Sequence, residues 1–512
     1  MEFSISKKYH AMRNFLIILS LVNLCFLSVW RELIFSTKSD SYWIPTFPVE
    51  SYAAAIFNVI GISVVIWSIS PKIKKLSPKS WEYLRACGLL SALIFPANYF
   101  RKALNINSNF IYWLTSPEII FPAIVLTLSL GWVIFYGLLN NRIIKFFSGV
   151  LIILFPFSLL TLSQASLKAI ENLRENTLKP NATKMAILDK PAAKLQRVVW
   201  IIFDELDLRL AFINRPDNVN LPEFDQLRTQ ALFATQGLSH SKNTQEAIPS
   251  YLTGKLVASV QSISSSTLRL KYENSEEGQY SFLPGKENFF SDAYDLGARS
   301  AIIGMYHPYC RLFVDKVVFC SWYGLNTYTP QASNSFFVET FSQLTGILPV
   351  SGRINAISTY TGILESTLEV IGNSRFDVVY VHASVPHGPD IYLREADRLS
   401  LVNISRLGYF DNLVLADQFL GKLKHSMKAE NLWDETTVLV TSDHEWRHVH
   451  LYDDVRVRKI PFLIKMAHQN EGVVYEKVFS PMLVTKDLLL QILSGNLGNI
   501  ETVVNWLDHH SL

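Results

Sequence analysis

Apolar positions along this chain fall into two textures, and the change comes near residue 165. Before it, apolar residues form long runs. Windows of about 19 residues predict five membrane spans, at 14–34, 51–70, 83–100, 117–139 and 145–165. Each is close to the ~20 residues that a bilayer core requires, although Pro96 and Asn98 interrupt the third. No small-residue cleavage site follows the first run and four more runs do, so it reads as a retained anchor and not a cleaved signal. The stretch 166–196 is polar and lysine-rich and reads as a connector.

From residue 197 the runs shorten to strand length. "RVVWIIF" (197–203) is continuous and rich in β-branched residues, the pattern of a strand buried on both faces. Similar runs recur at 300–304, 377–382, 437–442 and 460–465. Helical spacing lies between them. It covers Pro222–Thr235, with Phe224, Leu227, Ala231 and Leu232 on one face, and Tyr409–Met427, with Leu413, Ala416, Leu420 and Leu423 aligned. Strands alternating with helices predict an α/β domain around a mostly parallel sheet. The expected plan is an N-terminal α-helical transmembrane bundle of about five spans (1–165), the connector (166–196), and an α/β domain over 197–512.

Charge orients this plan. Lys7, Lys8 and Arg13 precede the first span, Lys72, Lys74, Lys75, Lys79 and Arg85 follow the second, and Arg142 and Lys145 follow the fourth. The opposite loops hold only Arg31, Lys38, Arg101 and Lys102. Ten basic residues against four place the N-terminus in the cytoplasm, and five spans then put the α/β domain outside a plasma (inner) membrane, in a periplasmic or extracellular space. The net charge of only +3 across 512 residues is no footprint for nucleic acid. Cys310 and Cys320 share a short loop of the exported part, where either a disulfide or two buried thiols fit. The sequons at Asn181 and Asn403 matter only in a host that glycosylates exported proteins.

In open α/β sheets, ligands collect at the carboxyl ends of strands. Three predicted strands end in metal-binding groups: the first in Asp204 and Glu205, the one at 437–442 in Asp443 and His444, and the one at 377–382 in His382 followed by His387. An acidic pair after a strand is most often a cap or a solvated turn; three such ends in one domain with a hydroxyl between them favour a metal site. Carboxylates with imidazole favour Zn²⁺, with Mn²⁺, Ca²⁺ or Mg²⁺ compatible. The hydroxyl is Thr244 in "SKNTQEAIPSYLTGK" (241–255). No histidine or aspartate follows it within five residues, but metal coordination can activate a threonine.

These motifs resemble the alkaline phosphatase superfamily in its sulfatase-like branch, and more narrowly the membrane-anchored phosphoethanolamine and phosphoglycerol transferases of bacterial envelopes. The resemblance covers about 197–465 and the anchor plan. It implies Thr244 as nucleophile, with Pro249 at the family offset, and Asp204, Glu205, Asp443 and His444 as metal ligands. "HGPDIYLR" is similar to the transferases' His-Gly-Pro segment, which associates His387 and Arg394 with the substrate phosphate or a second metal. His382 joins that group, and His448 or His450 would be the histidine that follows the Asp-His pair. The transferases' Gly-Glu-Thr-x-x-Arg signature is replaced here by "DELDLR", and their cysteine-rich framework is reduced to Cys310 and Cys320.

The resemblance therefore implies a metal-dependent transferase. It would move a phospho-alcohol group from a membrane phospholipid donor to an envelope glycan or lipid acceptor through a threonine-linked intermediate. The alternative is a sulfatase-like hydrolase of phosphate or sulfate esters. Formylglycine chemistry is disfavoured, because threonine at 244 cannot yield that aldehyde and Ile248 stands where those enzymes carry arginine. A non-enzymatic receptor with a degenerate domain would lack a ligand, and none of the set is missing.

Overall fold

The computed structural model describes residues 2–35, 42–43, 47–103, 131–132, 134–175, 195–276, 278–324, 335–347, 351–402 and 407–511. The chain divides into two compact units that exchange segments. One takes Met1–Ser36, Thr46–Pro180 and Asn326–Gly352; the other takes Thr37–Pro45, Asn181–Leu325 and Arg353–Leu512.

The first unit is helical: α1 (Glu2–Cys25), α2 (Leu27–Leu33), α3 (Val49–Leu76), α4 (Pro78–Ala103), then helices Asn141–Ile153, Phe155–Glu175 and Phe336–Gly346. Among the described residues, Val49–Leu76 and Arg142–Leu173 are long and apolar enough to cross a membrane. A third candidate exists only if Lys8–Cys25 and Leu27–Leu33 form one span, and that pair bends by 64°. The expected straight span at 14–34 is thus broken at Phe26. The run at 83–100 lies in α4, which continues through Pro96. Lys79, Glu82 and Arg85 dilute its apolar character, and it is not among the candidates. The run at 117–139 lies largely outside the described residues, as do 176–194, Asn181 and Asn403. Helix Phe155–Glu175 carries the fifth run well past 165, because Leu167, Ile170 and Leu173 keep the helical spacing. Of the five expected spans, two or three are found among the described residues.

This unit hides polar groups and shows apolar ones. Asn23 Oδ1 accepts from Trp30 Nε1 and Thr161 Oγ1, each at 2.9 Å. Along α3, Ser51, Asn58, Ser63 and Ser70 are buried, whereas Phe57, Ile60, Val64 and Val65 are exposed. That polarity suits a helix in lipid.

The second unit reverses it around an eight-stranded sheet. Its strands begin with β1 (Val198–Phe203), β2 (Leu232–Ala234), β3 (Val257–Ser264), β4 (Thr267–Tyr272), β5 (Ser281–Leu283), β6 (Ser300–Met305) and β7 (Phe319–Tyr323). They continue with β8 (Val378–Ala383), β9 (Tyr392–Leu393), β10 (Arg398–Leu399), β11 (Thr437–Ser442), β12 (Phe462–Lys465) and β13 (Val473–Tyr475). The large sheet runs β13-β2-β12-β11-β1-β8-β6-β7, while β3-β4-β5 and β9-β10 form small sheets. From β11 to β7 all pairing is parallel. β12 runs against both β11 and β2. Successive side chains of β1 enter opposite cores: Val199, Ile201 and Phe203 face one, Val198, Trp200 and Ile202 the other.

The helix expected over Pro222–Thr235 is only half right. It stops at Arg228, and Leu232–Ala234 form β2. The apolar Leu-Phe-Ala gains more from pairing with β12 than from another helical turn. Cys310 and Cys320 are joined by a disulfide.

Candidate active site

Register brings the chemistry to one level. Phe203, the last residue of β1, pairs with Ser442 on one side and Ala383 on the other. The residues that follow β1 and β11, Asp204 and Asp443, therefore emerge together. The third participant comes from the helix Thr244–Thr253. This helix is held to the end of β11 by Tyr251, whose hydroxyl donates to the Ser442 carbonyl at 2.9 Å. Gly254, at φ 68°, ends it in the left-handed conformation that suits glycine at a helix C-terminus. Its first residue is Thr244, and Asn243 before it makes no side-chain cap, so the first-turn dipole is open toward an anion.

The Thr244 hydroxyl donates to Asp443 Oδ2 at 2.7 Å and lies 3.5 Å from His444 Nε2. Ligand atoms of Asp204, Asp443 and His444 all lie within 4.8 Å of one another, and all three residues are buried. His444 Nε2 is 3.3 Å from Asp443 Oδ2 and 3.8 Å from Asp204 Oδ1. The other ring nitrogen, Nδ1, is 3.0 Å from the Glu445 carbonyl, which can only accept. Nδ1 therefore carries the proton and Nε2 turns its lone pair toward the carboxylates, the orientation a metal-binding histidine takes.

Electrostatics point to a missing positive charge. Burial and the neighbouring Asp443 and Glu205 carboxylates hold Asp204 well above the usual carboxylate range. Burial also works against an ionised Asp443, but this group comes down, and the Thr244 hydroxyl and the Glu205 amide both donate to its carboxylate. Asp204 Oδ1 is buried without a hydrogen-bond partner. Two carboxylates, an imidazole lone pair and a hydroxyl, with one buried oxygen unsatisfied, fit a divalent cation.

Glu205, the neighbour of Asp204, goes elsewhere. It adopts φ 65°, a costly region for a residue with a side chain, and its carboxylate accepts from Arg447 Nε at 2.5 Å. Burial opposes its ionisation, but His387, His444 and Arg447 hold the group below the ordinary range. Arg447 Nη2 also donates to His387 Nε2 at 2.8 Å. His387 Nδ1 then gives its proton to the Gly388 carbonyl at 2.6 Å. His382 is fully buried. Its Nδ1 lies 2.9 Å from the Tyr309 hydroxyl and 3.2 Å from the Met305 carbonyl, and Nε2 has no partner. Burial pulls this imidazole down to about 4, so it is neutral.

The remaining expected residues divide. His448 is half-buried within electrostatic reach of Glu205, Arg447 and His387, while His450 is exposed. Arg394 turns to Asp411 Oδ1 at 3.0 Å and to the Asn218 carbonyl at 3.1 Å. The cluster does not include it.

Arg447 and His307 escaped the sequence reading. His307 is buried, its Nε2 lies 3.3 Å from the Thr244 carbonyl and its Nδ1 2.9 Å from the Tyr42 hydroxyl. Burial lowers it to about 3. It follows β6 by two residues, so the strand-end rule applied to "SAIIGMYH" would have found it. Arg447 stands three residues beyond His444, just outside the Asp-His motif.

Residues 196–445 match the Sulfatase family. The chain carries a sulfatase-family domain. The matched region has the fold of sulfatase-family phosphate and sulfate ester hydrolases and transferases. No curated protein matches the sequence. Among solved structures, the domain is similar to Ps i-CgsB in complex with k-i-k-neocarrahexaose, at 14% identity and TM-score 0.42 over 61% of this chain and 74% of that one. The lipoteichoic acid synthase LtaP from Listeria monocytogenes matches at 13% and 0.36, over 58% and 72%. The phosphonate monoester hydrolase of Agrobacterium radiobacter matches at 12% and 0.39, over 60% and 78%. Enzymes of the sulfatase family use a metal ion, and among the described residues Asp204, Asp443 and His444 form a group that could hold one.

Proposed function

We propose that this protein is a membrane-anchored, metal-dependent transferase. In this reading it moves a phospho-alcohol group, of the phosphoethanolamine or phosphoglycerol type, from a phospholipid to an envelope glycan or lipid. The observation that carries the proposal is Thr244 itself: a buried hydroxyl at a helix N-terminus, 2.7 Å from Asp443 and beside Asp204 and His444. The apolar helices of the first unit support a lipid donor, and the Cys310–Cys320 disulfide supports an oxidising, exported setting.

Asp204, Asp443, His444 and Thr244 Oγ would hold the metal. When bound, a divalent cation lowers the hydroxyl pKa and neutralises charge on phosphoryl oxygens. Thr244 Oγ forms a bond to the donor phosphorus while the bond to the diacylglycerol oxygen breaks. The hydroxyl proton passes to Asp443 Oδ2, and the departing oxygen is protonated from water. The acceptor hydroxyl then attacks the same phosphorus and gives its proton to the hydroxide that the first step left in the solvent. Thr244 Oγ leaves and recovers its own from Asp443. Arg447, fixed by Glu205, and the first-turn amides of Thr244–Thr253 bind the non-bridging oxygens.

The test is to incubate the purified full chain with Mn²⁺ or Zn²⁺ and vesicles of phosphatidylethanolamine and phosphatidylglycerol, without acceptor. The expected result is one diacylglycerol per protein and a phospho-alcohol mass on the peptide containing Thr244. Thr244→Ala should release none, a loss on the order of 10⁴-fold or more. Diacylglycerol release by Thr244→Ala at the wild-type rate would sink the nucleophile. Turnover of sulfate or phosphate monoesters with no phospholipid cleavage would favour the hydrolase reading instead.

A further inference from the structure

The helix Phe336–Gly346 belongs to the first unit, although in sequence it lies between β7 and β8 of the sulfatase-family sheet. Its polarity is inverted. Glu339 and Gln343 are buried, whereas Phe337 is 74 % exposed, Phe341 69 % and Val338 53 %. The buried face packs on α3. Asn58 Nδ2 donates to Gln343 Oε1 at 3.3 Å and to the Thr340 carbonyl at 3.2 Å, and Gln343 Nε2 donates to the Ser51 carbonyl at 2.8 Å. The outward face has no such partners among polar residues; it carries two phenylalanines and a valine one turn apart.

A helix that turns a carboxyl and an amide inward and phenylalanines outward is wrongly built for water, where the large apolar side chains would be covered. It is rightly built for hydrocarbon, where polar groups must find each other. The neighbouring α3 has the same inversion, and the two outward faces are continuous. Phe336 meets Phe57 ring to ring at 5.4 Å, and Phe57 is itself exposed on α3. We propose that Phe336–Gly346 is embedded in one leaflet of the bilayer, with Phe337, Val338 and Phe341 among acyl chains.

Length rules out a further span. Eleven residues reach about 16 Å, roughly half of a ~30 Å hydrocarbon layer. The hydrogen bonds and the ring contact with α3 fall between Ser51 and Asn58, a rise of about 10 Å within the first third of that helix. The segment thus enters beside the N-terminal end of α3 and stays in that leaflet. No run of the length a span needs would flag it in the sequence.

This inference rests on the membrane-anchor reading and is independent of which group the enzyme transfers. Its test is spin labelling of the full chain in phosphatidylethanolamine–phosphatidylglycerol vesicles, in a Cys25→Ala, Cys87→Ser background. That background leaves the Cys310–Cys320 disulfide unlabelled. Labels go at Phe337→Cys and Phe341→Cys, with Val65→Cys on α3 as a lipid reference and Lys286→Cys as a water reference. The readout is collision with oxygen against collision with a water-soluble nickel chelate. Labels at 337 and 341 should follow Val65, with an oxygen-to-nickel ratio several-fold above that of Lys286. A ratio like that of Lys286 would overturn the proposal. So would protection from both reagents, the mark of cover by a second copy or another protein. Val65 reading as water would fell the anchor itself, an outcome distinct from failure of this helix alone.

Discussion

Each unit of this protein buries a polar cluster, and the two are built on opposite principles. Asn58, Gln343 and Ser51 in the helical unit are neutral and bind one another directly. Asp204, Asp443 and His444 in the sheet unit bring two carboxylates against each other, with Asp204 Oδ1 left unsatisfied. The side-chain amides of Asn58 and Gln343 are paired as folded and contribute architecture. A buried like-charge pair is incomplete, because desolvation and repulsion both oppose it until a cation arrives. Charge therefore separates the two clusters, and substitutions in them should have opposite signatures.

The largest contrast is expected at Asp204→Asn. Asparagine cannot ionise, so it escapes the burial and repulsion that push the Asp204 carboxyl up in the metal-free protein, and the thermal midpoint in EDTA should rise above wild type. Metal-dependent activity should fall by roughly 10²-fold or more, since a ligand is lost. Chelation of the wild type should abolish turnover and lower its midpoint, because only the folded state binds the metal. A lower midpoint for Asp204→Asn in EDTA, with activity kept, would place Asp204 in the architectural class.

Arg447 tests the boundary between the classes. It joins buried Glu205 to His387, so it both neutralises a carboxylate and faces the site. Arg447→Gln should cost about 1–3 kcal/mol, less than a fully buried pair because the guanidinium is a third exposed. It should also raise the KM for phospholipid by roughly 10-fold. Adding Glu205→Gln should recover the stability, since both charges are then gone, but not the KM. Recovery of both would make Arg447 a structural counter-ion only. Recovery of neither would leave Glu205 with a further role of its own.

How far the sequence foretold these clusters follows from what each depends on. Asp204, Asp443 and His444 were legible because they sit at the ends of strongly apolar strands, and parallel register aligns those ends. Thr244 was legible through its resemblance to the transferases' nucleophile. Glu205 looked equivalent to Asp204 in the sequence, and only the left-handed backbone at 205 separates them. Arg394 carried the right spacing after His387 but is claimed by Asp411, 17 positions further on. The helical unit was read from apolar length alone. Length says nothing of the 64° break between α1 and α2, nor of an 11-residue segment that joins α3 from within the second unit's sequence.

The smallest effect should come from the neutral cluster. Asn58→Leu removes the donor that serves Gln343 and Thr340 and supplies an apolar side chain of similar size. In water such a loss would leave a buried amide unpaired and cost a few kcal/mol. In a membrane the unfolded reference keeps the helices in lipid, where Gln343 finds other partners, so the cost shrinks to about 0.5–1.5 kcal/mol. Gln343 also keeps its bond to the Ser51 carbonyl. The variant should show a slightly lower midpoint in detergent and unchanged turnover per folded molecule, with unchanged metal dependence. A loss of activity beyond the loss of folded protein would mean that the neutral cluster also serves the site, and the division between neutral and charged clusters would fail at its simplest member.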